Sequence, residues 1–195
     1  LGSSDGDIVR GAAQLAGTIR NAAAVPALGR LLIHPEPTVR LAAVQGLTAI
    51  GSPGSLQALD KALEDGDRAV RLAAMRGIGE HRHAGSAARL KALVDSKLAR
   101  QADVSERVAL YEAFALAARD EAVPVLDALL NARGLLGPKE SPDVRAAAAR
   151  ALGLVATAKG RSALEKAAND KELVVRTAVV RALRGDQGAR DRGTP

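Results

Sequence analysis

The chain has 195 residues, 47% of them hydrophobic, no cysteine, and a formal net charge of +6. That is enough apolar material for one domain-sized core, and the missing thiols exclude disulfides, thiolate metal sites and cysteine nucleophiles. Tyr111 and Phe114 are the only aromatic residues, so the core is built from Ala, Leu, Val and Ile, whose small side chains suit helices stacked on helices.

The opening stretch, "LGSSDGDIVR", lacks the charged and apolar regions of a signal peptide. No later run has the apolar length needed to cross a bilayer. Both points lead to the expectation of a cytoplasmic protein. The chain starts at Leu1 in place of Met, so an upstream segment, with any export signal it carried, is expected to have been removed.

From residue 9 onward the chain repeats itself. Val9-Arg10 returns as Val39-Arg40, Val70-Arg71, a weaker Glu106-Arg107, Val144-Arg145 and Val175-Arg176, at spacings of 30, 31, 36, 38 and 31 residues. Within one copy the apolar positions keep helical steps: Val39, Ala43, Leu47 and Ile50 lie three or four apart. "GSPGS" then breaks the helix, and "SLQALDKAL" starts a second stripe through Leu56, Leu59 and Leu63. Asp67, Asp103 and Ser141 stand three residues before their anchors, where a side-chain oxygen caps free backbone N–H groups. Pro37 and Pro142 occupy the first helical turn, where proline is tolerated.

One such helix pair cannot bury its own apolar stripe, so the pairs must stack. The expected fold is all-α, an α-solenoid of about five helix pairs, at about 8–33, 38–64, 69–94, 105–130 and 143–168, with a terminal half-repeat at 173–184. Residues 1–184 form a single domain in this reading, and 185–195 a polar, disordered tail.

The phrases "VRLAAVQGLTAIG", "LEDGDRAVRLAAMRGIG" and "VRAAAARALGLVA" resemble HEAT repeats, closest to the short bacterial class first noticed in phycobilisome lyases. The resemblance implies that each anchor arginine pairs with an acidic residue in the loop before it, forming a ladder. That role would fall to Arg40, Arg71, Arg107, Arg145 and Arg176, with Asp65 or Asp67 serving Arg71 and Asp170 serving Arg176. The stack is expected to offer a curved surface made mainly by the second helices, with Arg30, Gln57, Lys61, Arg89, Lys91, Lys166 and Asn169 exposed on it.

Departures from the repeat are where function is sought. "DSKLARQADVSE" (95–106) and "NARGLLGPKESPD" (131–143) lengthen the usual connections, and such insertions gather at one edge of a solenoid. Leu135 and Leu136 in the second insertion either tuck onto the next repeat or form a docking element. Charge is uneven: residues 71–100 hold seven Lys or Arg against two acids. Arg76, Arg82, Arg89, Lys91, Lys97 and Arg100, joined by His81 and His83, are expected to form a basic ridge for an acidic protein surface, a phosphate or a nucleic acid.

Chemistry is sparse. His81 and His83 in "EHRH" diverge if helical, and no third ligand is evident. Where related repeat enzymes, the deoxyhypusine hydroxylases, carry iron-holding His-Glu pairs, this chain reads Leu41-Ala42 and Leu72-Ala73. Two aromatic residues are a poor set for stacking on nucleobases or holding a tetrapyrrole. The expectation is a non-catalytic protein-interaction or scaffolding module without cofactor or metal, whose partner is another protein. Nucleic-acid or phosphate binding through the third repeat is the alternative, and a metal-dependent or chromophore-processing enzyme comes last.

Overall fold

A computed structural model describes residues 6–135 and 137–191, and side chains as far as residue 185. The chain divides into two compact units, Leu1–Arg89 and Leu90–Pro195, where the sequence reading expects a single domain.

The first unit opens with α1 (Gly6–Thr18), followed by a 3-10 turn and α2 (Val25–Leu31). Next come α3 (Pro37–Ile50) with α4 (Pro53–Leu59), and then α5 (Arg68–Glu80). Helix α6 (Ala87–Val94) carries the division between the units. The second unit holds the short α7 (Lys97–Gln101), then α8 (Val104–Ala118) with α9 (Val123–Asn131). A small hairpin follows, β1 (Arg133–Gly134) paired antiparallel with β2 (Gly137–Pro138). Then come α10 (Pro142–Val155), α11 (Ala158–Lys166) and α12 (Leu173–Asp191). Helix α12 runs past residue 184, where the sequence reading ends the half-repeat; residues 192–195 lie outside the described residues.

Local chemistry explains the boundaries. The Asp67 carboxylate accepts from the N–H groups of Ala69 and Val70, and Asp103 accepts from Glu106, so both cap as expected. Ser141 holds the cap position of α10 but makes no side-chain cap bond there. Proline opens α3, α4 and α10. Each of these first helices is followed within two residues by one with positive φ: Gly51 after α3, but Arg20, Arg82, Arg119 and Ala156 after α1, α5, α8 and α10.

Within the first unit α1 packs along α3 and α3 along α5; within the second, α10 lies between α8 and α12. Leu28, Leu47, Leu59, Leu63 and Ile78 are fully buried in the first unit, as are Phe114, Leu126 and Leu130 in the second. Glycine sets the approach of the long helices in the first unit. A methyl on Gly17 would stand 2.9 Å from the Gly46 Cα, and one on Gly46 would stand 2.8 Å from the Ala13 carbonyl oxygen. Counterparts in the second unit are small too: a methyl on Gly153 would meet the Ala182 Cβ at 2.7 Å.

Three of the anchor arginines fasten carbonyls of the loop before their own helix. Arg40 Nη1 donates to the carbonyls of His34 and Pro35, Arg71 Nη1 to those of Asp65 and Gly66, and Arg176 Nη1 to those of Asp170 and Lys171. The residue six before the anchor has a second task. Asp65 Oδ1 accepts the Asp67 N–H at 2.8 Å, Asp170 Oδ1 the Glu172 N–H at 3.0 Å, and His34 Nδ1 the Glu36 N–H at 3.1 Å.

The carboxylates of those loops run opposite to the expected ladder. Asp65 forms a two-point pair with Arg40 of the preceding repeat, with Nε and Nη2 both at 2.8 Å, and Asp170 pairs likewise with Arg145. The acid therefore reaches back 25 residues, while the following arginine, Arg71 or Arg176, takes that acid's main-chain oxygen. The reason is geometric: the loop carbonyls already lie within reach of the guanidinium of their own helix, which leaves the carboxylate facing the helix before. The register lapses where the loops lengthen. Twenty-five residues beyond Arg71 stands Ser96, and beyond Arg107 stands Ala132. Arg107 turns instead to the carbonyls of Ala99 and Ala102, and Arg145 adds that of Leu130.

Arg145 and Asp170 are both buried, so each is costly to leave alone. The Arg145 hydrogen bonds hold the Asp170 carboxyl below its ordinary range against the opposing effect of burial. Burial pushes the Asp65 carboxyl up, and the bonds from Arg40 and the Asp67 N–H outweigh it, leaving a net depression. A depressed carboxylate stabilises fully above its unfolded value of about 4, and that stability is lost as pH falls through the lower folded value. Denaturant unfolding from pH 7 to pH 2 is expected to show declining stability below about pH 4, with a shallower decline in Asp170→Asn. At neutral pH, Asp170→Ala is expected to cost about 3 kcal/mol by stranding Arg145.

Glycine contacts yield a contrast measurable in the same way. Gly46→Ala drives a methyl into main chain and is expected to destabilise by about 1–3 kcal/mol. Gly29→Ala in α2 meets nothing within 4 Å, and is expected to gain up to about 1 kcal/mol from helix propensity.

Candidate functional site

A groove of about 940 Å³ lies in the second unit, formed by the first helices α8, α10 and α12. Its floor is made of small residues: Ala146, Ala147 and Ala178 are buried there. Its banks are larger apolar side chains left in solvent: Val104 is 51% exposed, Leu173 69% and Val174 46%. Small residues between larger ones on neighbouring helices produce a trough, because the main chains approach closely while the flanking side chains project.

Charge is confined to few positions. Arg150 donates from Nη2 (3.0 Å) and Nε (3.3 Å) to Oε1 of Glu112. Asp143 lies at the end where the helices begin, and Arg181 on the third turn of α12. Arg150 and Arg181 stand five residues after their anchor arginines, as do Arg76, Gln45 and Glu112. The repeat thus writes a second register, turned toward solvent, beside the buried one.

A smaller notch of about 340 Å³ lies in the first unit on α3 and α5, where Arg20, Arg76, Glu80 and His81 meet Gln45 and Thr48. A His81 ring nitrogen is 2.8 Å from the Thr48 carbonyl oxygen, and the ring fills the space beside Gly51.

The expected basic residues distribute over both units. Arg76 lines the notch, Arg82 is exposed in left-handed backbone, His83 is half-buried beside Gly85, and Arg89 pairs with Glu64. Lys91, Lys97 and Arg100 are exposed and belong to the second unit. Leu135 sits at the hairpin tip, fully exposed. It does not tuck onto a neighbouring repeat, because the two strands turn it outward. Leu136 lies outside the described residues. The second helices have 7 to 9 residues where the paired first helices have 13 to 15, so the broad surfaces fall to the first helices. Sequence reasoning missed Leu154, Leu173, Val174, Arg150 and Arg181 as site residues; for Arg150 and Arg181 the recurring position five after each anchor arginine was the available signal.

Among the described residues no group of three or more His, Asp or Glu is placed to hold a metal ion, and no helix is long and apolar enough to cross a membrane.

Comparison with known proteins agrees with this architecture. No curated protein sequence matches the chain. Among solved structures, the complex of CpcE and CpcF of phycocyanin lyase from Nostoc sp. PCC7120 is similar at 26% identity, with 97% of this chain and 73% of that one covered and a TM-score of 0.63. An engineered protein matches at 24% identity over 96% of this chain and 94% of its own, with a TM-score of 0.54. A designed armadillo repeat protein matches at 19% identity over 94% and 95%, with a TM-score of 0.50. All three support an all-α, α-solenoid fold. The family model for HEAT repeats matches residues 1–78 and 134–192, well over half of the sequence, and the chain belongs to the HEAT-repeat family.

Proposed function

We propose that this chain is a non-catalytic protein-interaction module whose docking surface is the α8–α10–α12 groove. The observation that carries the reading is the groove itself: an alanine floor between exposed valine and leucine banks, with charge at only four of its lining positions, Glu112, Asp143, Arg150 and Arg181. Apolar side chains left in water at a concave surface mark the places where proteins bind one another. Helical-repeat folds are typical interaction scaffolds, and a stack held by buried ion pairs and glycine contacts is ordered before its partner arrives, which lowers the entropy cost of binding.

A chromophore-processing role, which similarity to a phycocyanin lyase complex would suggest, has less support. Tyr111 and Phe114 are both buried, so neither presents an aromatic face to the groove. The basic residues of the third repeat also give limited support for nucleic acid: Arg89 is already paired with Glu64, and the rest are divided between the two units.

The test is affinity capture with quantitative mass spectrometry, comparing wild type with Leu154→Glu and Val174→Glu. Both positions are partly exposed, so unchanged circular dichroism melting is expected. Partners retained by wild type are expected to be lost from both variants. A partner set that ignores both variants but disappears with Arg82→Glu and Lys91→Glu would move the function to the basic residues.

A further inference from the structure

Resting on that reading of the groove, we infer that its occupant is an amphipathic helix of about three turns that places an acidic side chain against Arg181. The first argument concerns the backbone. The groove walls are helices whose N–H and C=O groups are used internally, so they offer an extended strand no ladder to join. A helix arrives with its own main-chain hydrogen bonds made and presents only side chains.

The second argument is size. Lining positions on α12 run from Leu173 to Gly185, which at 1.5 Å per residue is a trough of about 18 Å, or just over three turns. On α8 they are Val104, Val108 and Glu112, one face at steps of four. A partner helix with large apolar residues at steps of three and four fits against such a face over an alanine floor.

The third argument is charge. Glu112 already engages Arg150 and Asp143 lies at the end where the helices begin, whereas Arg181, on the third turn of α12, makes no ion pair with a described residue. A guanidinium that lines a mostly apolar groove loses water when the groove fills, and a carboxylate supplies the two-point partner that restores its hydrogen bonds. A lysine on the partner would leave two like charges desolvated. A phosphate backbone would find a floor of methyl groups and too few cations to neutralise it.

Two fluorescein-labelled synthetic peptides of about 15 residues test this, each with a leucine stripe at steps of three and four, one with glutamates flanking the stripe and the other with lysines in their place. Fluorescence anisotropy against the full chain is expected to show the glutamate peptide binding about tenfold tighter than the lysine peptide. Arg181→Glu is expected to reverse that order, and Leu154→Glu and Val174→Glu to abolish both. If Arg181→Glu leaves the ratio unchanged, the acidic pairing is overturned while the groove reading stands. If both peptides bind wild type and the two groove variants alike, the groove reading itself fails. Absence of binding by either peptide to wild type overturns the helical occupant.

Discussion

The structure depends on what each anchor arginine does with its loop. One guanidinium, at the second position of the repeated Val-Arg pair, gathers carbonyls from the turn that precedes its helix. Where the next loop supplies an aspartate 25 residues on, that carboxylate closes on the anchor guanidinium, that of Arg40 or Arg145. The aspartate also shapes its own turn by accepting an N–H two residues later. A single arginine-aspartate pair thereby settles a loop conformation, a helix start and the position of the following repeat. This explains why the repeat conserves its phrase internally while its surface residues vary.

Around that clasp the small residues do the rest. Alanine and glycine let successive first helices approach until the main chain of one meets the side chains of the next, as at Gly17 with Gly46 and Gly153 with Ala182. The same economy of volume that makes the core possible without aromatic bulk leaves a trough on the solvent side of α8, α10 and α12. The groove is therefore a by-product of the packing rule, made usable by Leu154, Leu173 and Val174, which the core has no room to take.

Much of this was legible in the sequence. Helical spacing, the thirty-residue period and the turn residues led to stacked helix pairs, and Asp67 and Asp103 announced their caps. The direction of the ladder was not legible, since Asp65 stands near both Arg40 and Arg71 in the repeat and only geometry decides which takes its carboxylate. Nor was the groove: Ala146, Ala147 and Ala178 read equally well as core, and depth arises from three helices that are distant in sequence. The second helices looked like the broader face because periodicity measures amphipathicity, not length, and 3-10 turns at their ends shorten them.

A double-mutant cycle on Arg145 and Asp170, with Arg145→Met and Asp170→Leu alone and combined, tests the clasp most directly. The account predicts that each single variant loses about 3 kcal/mol or more in denaturant unfolding, and that the double variant recovers much of it because no buried charge is left unpaired. Losses that simply add, with no coupling between the two positions, would contradict it.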